Sequence, residues 1–298
     1  MSLTPRAVIV QRPTELDELI ARHGTRGQAA FFLSTRGRQI EEVERRHALQ
    51  QAAMAAVTSS LPLDWRRGIV ERGDLPRFLF TPEDVIIVVG QDGLVANVAK
   101  YLLGQPVVGV NPDPERNPGV LVPFSPDAAA RLLRRVSDVS GLRVQLRTMV
   151  QAELDDGQSL LALNEVFVGP SSHQTARYTL TVADGRCERQ ASSGLIVSTG
   201  TGATGWCRSI WQERHSDARL PDAGEDRLAW FVREAWPSPA TGTALTEGVL
   251  DARTSLYLAV ESDRVVIFGD GIESDFVVAS WGQRIQVHEA PVKLRLVH

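Results

Sequence analysis

Four consecutive residues, Gly90-Gln91-Asp92-Gly93, combine backbone freedom with a carboxylate. Two glycines let a phosphate approach the main chain closely, and an aspartate beside them can orient or deprotonate a hydroxyl. A second constellation is Ser192-Ser193-Gly194-Leu195-Ile196-Val197-Ser198-Thr199-Gly200-Thr201-Gly202-Ala203-Thr204-Gly205-Trp206. Its glycines and the hydroxyls of Thr199, Thr201 and Thr204 suit a nucleotide cradle, and the Trp206 indole offers a face to a base. The third is the polar pair Asn164-Glu165 inside the apolar run Leu163-Asn164-Glu165-Val166-Phe167. Neighbours in a strand point to opposite faces, so at least one of the two faces an interior or a cleft and needs a partner or a ligand there. Each pattern also has a plainer reading: an Asp-capped strand-to-helix turn, a Gly/Thr turn with a core tryptophan, and a strand end at the surface.

The elements that must position these residues follow from hydrophobic period. Ala7-Val8-Ile9-Val10 reads as a strand, and Thr14-Glu15-Leu16-Asp17 as a capping box opening a helix with Leu16, Leu19 and Ile20 on one face. Residues 39–57 give a longer amphipathic helix and 68–70 a short strand. Asp84-Val85-Ile86-Ile87-Val88-Val89 is the strongest strand, a continuous apolar run buried on both faces, and it leads through the Gly90 turn to a helix over 94–103. A second buried strand, Pro106-Val107-Val108-Gly109-Val110, precedes a loop over 111–119 and a helix from Ser125 to about Val136. This alternation builds a parallel sheet covered by helices. Beyond about Gly141 the pattern changes to short runs, over 160–168, 178–182, 187–191, 195–198, 257–260, 265–268, 276–278, 285–287 and 293–297. Turn pairs such as Asp184-Gly185 and Asp270-Gly271 separate some of them, which predicts an all-β domain interrupted by one helix after Thr201.

Composition bounds the rest. The 298 residues carry 32 Lys+Arg against 36 Asp+Glu, a net charge of −4, so the overall balance argues against a polybasic nucleic-acid binder. Two cysteines, Cys187 and Cys207, are too few for a disulfide framework or a four-cysteine metal site and suit a reducing compartment. The six histidines show no ligand spacing, so no metal site is expected from the protein itself. Apolar runs are strand-sized, far short of the roughly 20 residues of a membrane helix. With no signal pattern in the first residues, the expected location is the cytoplasm. The pairs Arg45-Arg46, Arg66-Arg67 and Arg134-Arg135 read as solvated charges.

In their order and spacing, the Gly90-Gln91-Asp92-Gly93 element, Pro106-Val107-Val108-Gly109-Val110-Asn111, Asn164-Glu165, the 194–206 element and Asp270-Gly271 resemble the NAD kinase family. The resemblance runs over most of the chain from Ala7 onward. Asn111-Pro112-Asp113-Pro114-Glu115-Arg116, Ala162-Leu163-Asn164-Glu165-Val166-Phe167 and Ser192-Ser193-Gly194-Leu195 with Thr199-Gly200-Thr201-Gly202 are similar to its mitochondrial-type branch. The resemblance implies the NAD kinase/diacylglycerol kinase-like fold: a Rossmann-like α/β domain over residues 1–138, a β-rich, β-sandwich-like domain over 139–298, and NAD bound between them. It also implies transfer of a phosphoryl group from ATP, with Mg2+, to the 2′-hydroxyl of the adenosine ribose, giving NADP, in a homo-oligomer of two or four chains.

Residue by residue, Asp92 matches the family's catalytic aspartate. Asn164 and Glu165 match the pair that bonds the adenine and ribose of NAD, and Thr204 matches a threonine that seats the adenine. Trp206 stands at an aromatic position, Ser209 at a hydroxyl contact, and Asp270 at an acidic position at the NAD end. Gly90, Gly93 and Thr201 fall to the phosphates of ATP. The chain departs from the pattern at two places, with Gln91 where the family has a glycine and Leu94 where it has a threonine; the first is bulky beside a phosphate and the second removes a hydroxyl donor. Two other readings share these residues: a NAD- or NADP-binding homologue without catalysis, and a lipid kinase of the diacylglycerol or sphingosine type. The lipid reading draws nothing from Asn164-Glu165 or the 194–206 element.

Overall fold

The computed structural model describes residues 5–135 and 141–298. They form two compact units, Met1–Gln145 with Arg295–His298, and Leu146–Leu294. The domain boundary expected at 138–139 lies outside the described residues.

The first unit opens with β1 (Arg6–Gln11), then α1 (Glu15–His23), α2 (Arg26–Ser34), α3 (Ile40–Ser60), β2 (Arg66–Glu71), β3 (Asp84–Val89), α4 (Asp92–Ala99), β4 (Pro106–Val110), α5 (Pro126–Arg135) and β5 (Val144–Arg147). The Thr14 box forms as expected: the Asp17 carboxylate accepts from Thr14 N at 2.8 Å and the Thr14 hydroxyl accepts from Asp17 N at 3.3 Å. Helix α2 was not legible in hydrophobic period, because Gly27 and the Phe31-Phe32 pair blur it; the Thr25 side chain caps it at Gln28 N. Helix α4 begins at Asp92, earlier than the apolar pattern suggests, and ends at Ala99. The expected end of α5 at Val136 lies outside the described residues.

The sheet runs β2-β1-β3-β4, then the C-terminal strand Leu294–Val297, then β5. Pairing is parallel from β2 to the C-terminal strand. The last strand of the chain, expected from the sequence in the second, all-β domain, thus lies inside the first sheet, between β4 and β5, because its edge pairs with β4. Every residue of β3 is buried, and Val85, Ile87 and Val89 share a core with Ala53 and Val57 of α3 and Leu133 of α5. The order reverses between β1 and β3, so the crevice at their C-terminal ends is where an open α/β sheet takes a ligand.

At the opposite ends of these two strands, Arg6 and Asp84 are register partners. The Asp84 carboxylate is fully buried and accepts from Arg6 Nε at 2.8 Å and Nη2 at 2.6 Å, and from Thr81 N at 2.7 Å. Burial alone would raise the Asp84 pKa, but the Arg6 and Thr81 hydrogen bonds outweigh it and hold the carboxyl below its ordinary value.

The second unit is an antiparallel sandwich of β6 (Val150–Leu154), β7 (Ser159–Ala162), β8 (Glu165–Gly169), β9 (Ala176–Thr181), β10 (Cys187–Ser192), β11 (Gly194–Ser198), β12 (Arg227–Arg233), β13 (Glu247–Asp251), β14 (Leu256–Val260), β15 (Val265–Gly269), β16 (Phe276–Ala279) and β17 (Arg284–Glu289). One sheet is β10-β9-β14-β17-β6-β7, the other β13-β12-β11-β8-β15-β16. Their inner faces form one core, with Val166, Val168, Leu195, Val197 and Trp230 from the second sheet meeting Tyr178, Leu180, Leu258 and Val287 from the first. The run expected as one strand over 160–168 is two strands, β7 and β8, in different sheets, broken at Leu163-Asn164. Strands β6, β12 and β13 are additional to the runs expected from the sequence, although Leu228-Ala229-Trp230-Phe231-Val232 is a plain apolar run. Helix α6 (Trp206–Glu213), after a 3-10 turn at Gly202–Thr204, covers the outer face of the second sheet through Cys207 and Ile210, which pack with Phe167, Ile196 and Phe231.

Removing the charge of Asp84 while keeping its shape tests the first unit's anchor. Asp84→Asn leaves the Arg6 guanidinium facing a neutral amide at the start of β3, and urea unfolding is expected to show a loss of about 3 kcal/mol. The native carboxyl titrates below its unfolded value, so this contribution is present above the ordinary carboxylate range and is lost as pH falls through the native pKa.

Candidate functional site

In the first unit the Gly90-Gln91-Asp92-Gly93 turn sits at the C-terminal end of β3. Gly90 is buried, its N–H donating to Val110 O at 2.9 Å, and Asp92 is the first residue of α4. The Asp92 carboxylate accepts two successive backbone N–H groups, Val120 N at 3.1 Å and Leu121 N at 2.8 Å, one on each oxygen. This fixes its plane and leaves each oxygen a further lone pair. The loop reaches Asp92 because residue 109 is glycine: a Cβ there would stand 2.0 Å from Leu121 O. Asn111 holds the same loop, its Nδ2 donating to Asn117 O at 2.9 Å and its Oδ1 accepting from Asp113 N at 3.1 Å.

The two departures have visible consequences. Gln91 is exposed and its Nε2 donates to Asn117 Oδ1 at 3.3 Å, so its side chain ties the turn to the 111–119 loop. Leu94 is buried, with its Cδ2 3.1 Å from where a Cβ on Gly90 would lie. Around Gly93 a Cβ would meet nothing within 4 Å.

In the second unit Asn164, Glu165, Asp270 and Thr201 converge. Asn164 lies at the bend between β7 and β8 and not inside a strand, and Glu165 opens β8 on the face that carries Phe167. Asp270, at φ +54°, takes Leu163 N at 3.0 Å and Asn164 N at 2.6 Å on its two carboxylate oxygens. Its own N–H donates to Glu165 O at 3.1 Å. On the other side, Asn164 O accepts from Thr199 N at 2.9 Å and from the Ser198 hydroxyl at 3.2 Å. The fully buried Thr199 hydroxyl donates to Leu163 O at 2.6 Å and accepts from Thr201 N and Gly202 N at 3.1 and 3.2 Å. Gly202 passes so close that a Cβ would stand 2.2 Å from Asn164 O. The backbone of the bend is therefore bonded on both sides, while the Asn164 amide, the Glu165 carboxyl and the buried Thr201 hydroxyl have no hydrogen-bond partner among the described residues.

The remaining expected residues are placed differently. The exposed Thr204 donates its hydroxyl back to Thr201 O at 2.9 Å. Trp206 stacks on Phe167 with centroids 5.8 Å apart and takes the Arg233 guanidinium 5.2 Å from its ring, so the indole is already engaged by protein. Ser209 and Arg208 are exposed on α6, and no contact ties either to the bend. Cys207 is buried, and burial first of all pushes its thiol up to about 11, which makes it an inert packing residue. Among the described residues no three His, Cys, Asp or Glu side chains converge to hold a metal ion, and no helix is long and apolar enough to cross a membrane.

A helix-covered parallel sheet bearing a Gly-x-Asp-Gly turn, on one chain with an antiparallel sandwich bearing an Asn-Glu bend, defines a mixed α/β protein with the fold of the NAD kinase type. No family model matches the chain. It is similar to curated NAD kinases: 30% identical over 129 residues to the NAD kinase of Chlorobaculum tepidum, covering 42% of this chain and 44% of that one. It is 32% identical over 171 residues to NAD kinase 2, mitochondrial, of Homo sapiens, covering 43% and 39%. It is 27% identical over 225 residues to the NAD kinase of Acinetobacter baylyi, covering 72% and 67%. By sequence the chain is thus related to the NAD kinases, the mitochondrial type among them, and it spans less than half the length of several of the relatives it matches.

Glu165 gives this site a measurable signature. Burial, and second the neighbouring Asp270 charge, push its carboxyl up to about 7 from an ordinary 4.5. The native state keeps this proton where the unfolded chain has lost it, so the contribution to stability is complete below about pH 4.5 and is lost as pH rises through about 7. Glu165→Gln is neutral at every pH. In urea unfolding it is expected to match the unsubstituted protein near pH 4.5 and to exceed it by about 3 kcal/mol at pH 8.5.

Proposed function

We propose that the chain is an ATP-dependent NAD kinase that phosphorylates the 2′-hydroxyl of the adenosine ribose of NAD to give NADP. The observation that carries this reading is the bend at Asn164. Its backbone is fully bonded, yet it and the 199–202 turn packed on it present three polar side chains, Asn164, Glu165 and Thr201, that have no hydrogen-bond partner among the described residues. Buried or half-buried polar groups without partners are costly in a folded protein, and a polar ligand satisfies them.

In this reading Asn164 and Glu165 hydrogen-bond the adenosine of NAD. At the neutral-range value of Glu165, its carboxyl is able to donate to a ribose or base acceptor in its protonated form. Thr204, Trp206, Ser209 and Asp270 complete the NAD side, with Asp270 acting through the backbone it holds. Asp92 accepts the 2′-hydroxyl proton as that oxygen forms its bond to the γ-phosphorus, while the bond from the γ-phosphorus to the bridging oxygen breaks and ADP departs. The two backbone N–H groups on its carboxylate keep the base pointed at one place, which is what phosphoryl transfer asks of a protein. Gly90, Gly93 and Thr201 are assigned to the donor phosphates.

Among the described residues no cluster of three His, Cys, Asp or Glu forms, and Mg2+ enters as part of the MgATP substrate, held on phosphate oxygens. The same reading includes a cytoplasmic location and a homo-oligomer of two or four chains.

The direct test incubates the protein with NAD, ATP and Mg2+ and measures NADP with an NADP-specific dehydrogenase, beside a calorimetric NAD titration. NADP is the expected product. NAD binding without product would instead identify a non-catalytic homologue, and the absence of both would overturn the reading. Asp92→Asn is expected to abolish product while leaving NAD affinity within about tenfold, since shape is kept and only the base is lost. Asn164→Ala is expected to weaken NAD binding itself.

A further inference from the structure

Within the first unit the turn after β3 opens into a cavity of about 420 Å3, and much of its wall comes from residues that the chemistry above does not use. One side is a stripe of α3. Val43, Arg46, His47 and Gln50 recur at the i, i+3, i+4, i+7 spacing of one helix face, the stripe that a sheet-covering helix ordinarily keeps apolar. Here three of the four are polar. Gln50 is buried and donates from Nε2 to Val89 O, the last residue of β3, at 2.9 Å, which sets the stripe beside the Gly90 turn. Arg12 enters from the loop after β1. The cavity therefore lies at the C-terminal ends of β1 and β3, where the strand order reverses.

Arg46 is the most informative residue of this wall. Its side chain is one-third exposed; Nη2 meets Glu15 Oε2 at 2.8 Å, Nε donates to Glu42 O at 3.4 Å, and Nη1 has no partner among the described residues. Glu15 is also held by Arg38 Nη1 at 2.6 Å. Arg46 can thus turn donors toward an anion without leaving Glu15 unpaired. The other charged groups of the wall are Arg12, whose Nη2 lies a loose 3.9 Å from Glu18, and the carboxylates of Glu15, Glu18 and Asp113. His47 Nδ1 shares a hydrogen bond with the Thr14 hydroxyl at 2.8 Å.

We propose that Arg46, together with Arg12, binds the phosphates of the donor nucleoside triphosphate and supplies the charge and hydrogen bonds that Gln91 and Leu94 withhold at the Gly-x-Asp-Gly turn. A guanidinium fork matches two phosphate oxygens at once and is the side chain best suited to that substitution. The proposal rests on the kinase reading given above, and its test separates the two.

Initial rates are measured with ATP varied at saturating NAD and with NAD varied at saturating ATP, and MgATP binding is measured by calorimetry without NAD. Arg46→Ala is expected to raise the KM for ATP by about tenfold or more, to weaken MgATP binding in step, and to leave the KM for NAD within about twofold. Arg46→Lys is expected to recover part of the loss, as a point charge does at a phosphate. Glu15→Gln, which removes the other partner of the same ion pair, is expected to leave the KM for ATP within about twofold. If Arg46→Ala leaves ATP kinetics and binding unchanged in a protein that makes NADP, the proposal is overturned. It is equally overturned if Glu15→Gln reproduces the loss with a matching fall in melting temperature, since Arg46 then serves only to join α1 to α3. A protein that neither makes NADP nor binds MgATP overturns the kinase reading and this proposal with it.

Discussion

A single arrangement, one carboxylate receiving two successive backbone N–H groups, holds the chemistry-bearing turn in each unit. Asp92 takes Val120 and Leu121, and Asp270 takes Leu163 and Asn164. Hydrogen bonds to an ionised acceptor are about twice as strong as neutral ones, and a pair of them fixes orientation as well as distance. Asp270 adopts a left-handed backbone to do this, a conformation that costs on the order of 1 kcal/mol in a residue other than glycine. A cost of that size is tolerated when the surrounding bonds over-determine the geometry, as the Thr199 and Ser198 hydroxyls do from the opposite side of the bend.

The polar residues of the second unit divide by what their side chains bond. Thr199, Ser198 and Asp270 bond backbone groups and shape the bend. The side chains of Asn164 and Glu165, on the bend, and of Thr201, on the turn packed against it, bond to nothing described. Such a division lets the bend be rigid while its unpartnered side chains stay available, the usual requirement of a preorganised site. The rise of the Glu165 carboxyl follows from the same division: the residue is buried, it is denied a donor, and it sits beside a carboxylate committed to the backbone.

What was legible in the sequence is what short-range pattern encodes. The run Val85-Ile86-Ile87-Val88-Val89 could only be a strand buried on both faces, and the glycines and aspartate after it marked the turn before α4. The capping box at Thr14 read correctly for the same reason. The bend at Asn164 was invisible because Leu160-Leu161-Ala162-Leu163 and Val166-Phe167-Val168 join into one apolar run, and tertiary contacts from Asp270, 106 residues away, and from Ser198 and Thr199 break it. The role of Asp270 as a backbone clamp was hidden by that separation too, although its pairing with Gly271 marked a turn. Arg46 read as a solvated charge beside Arg45; the signal that would have separated them is that 46 shares the 43, 47, 50 face and 45 does not.

The break between β7 and β8 places them in different sheets, so the Leu163-Asn164 bend is the corner at which the chain crosses the sandwich. The unpartnered Asn164 and Glu165 side chains and the crossing between sheets share one piece of backbone there. Variation that lengthens, shortens or re-aims the bend has to re-register two sheets together, whereas exchanging the side chains of Asn164, Glu165 or Thr201 disturbs neither. Divergence at such a corner is therefore channelled into side-chain identity at a few fixed positions, with the loop lengths around it held constant by the architecture.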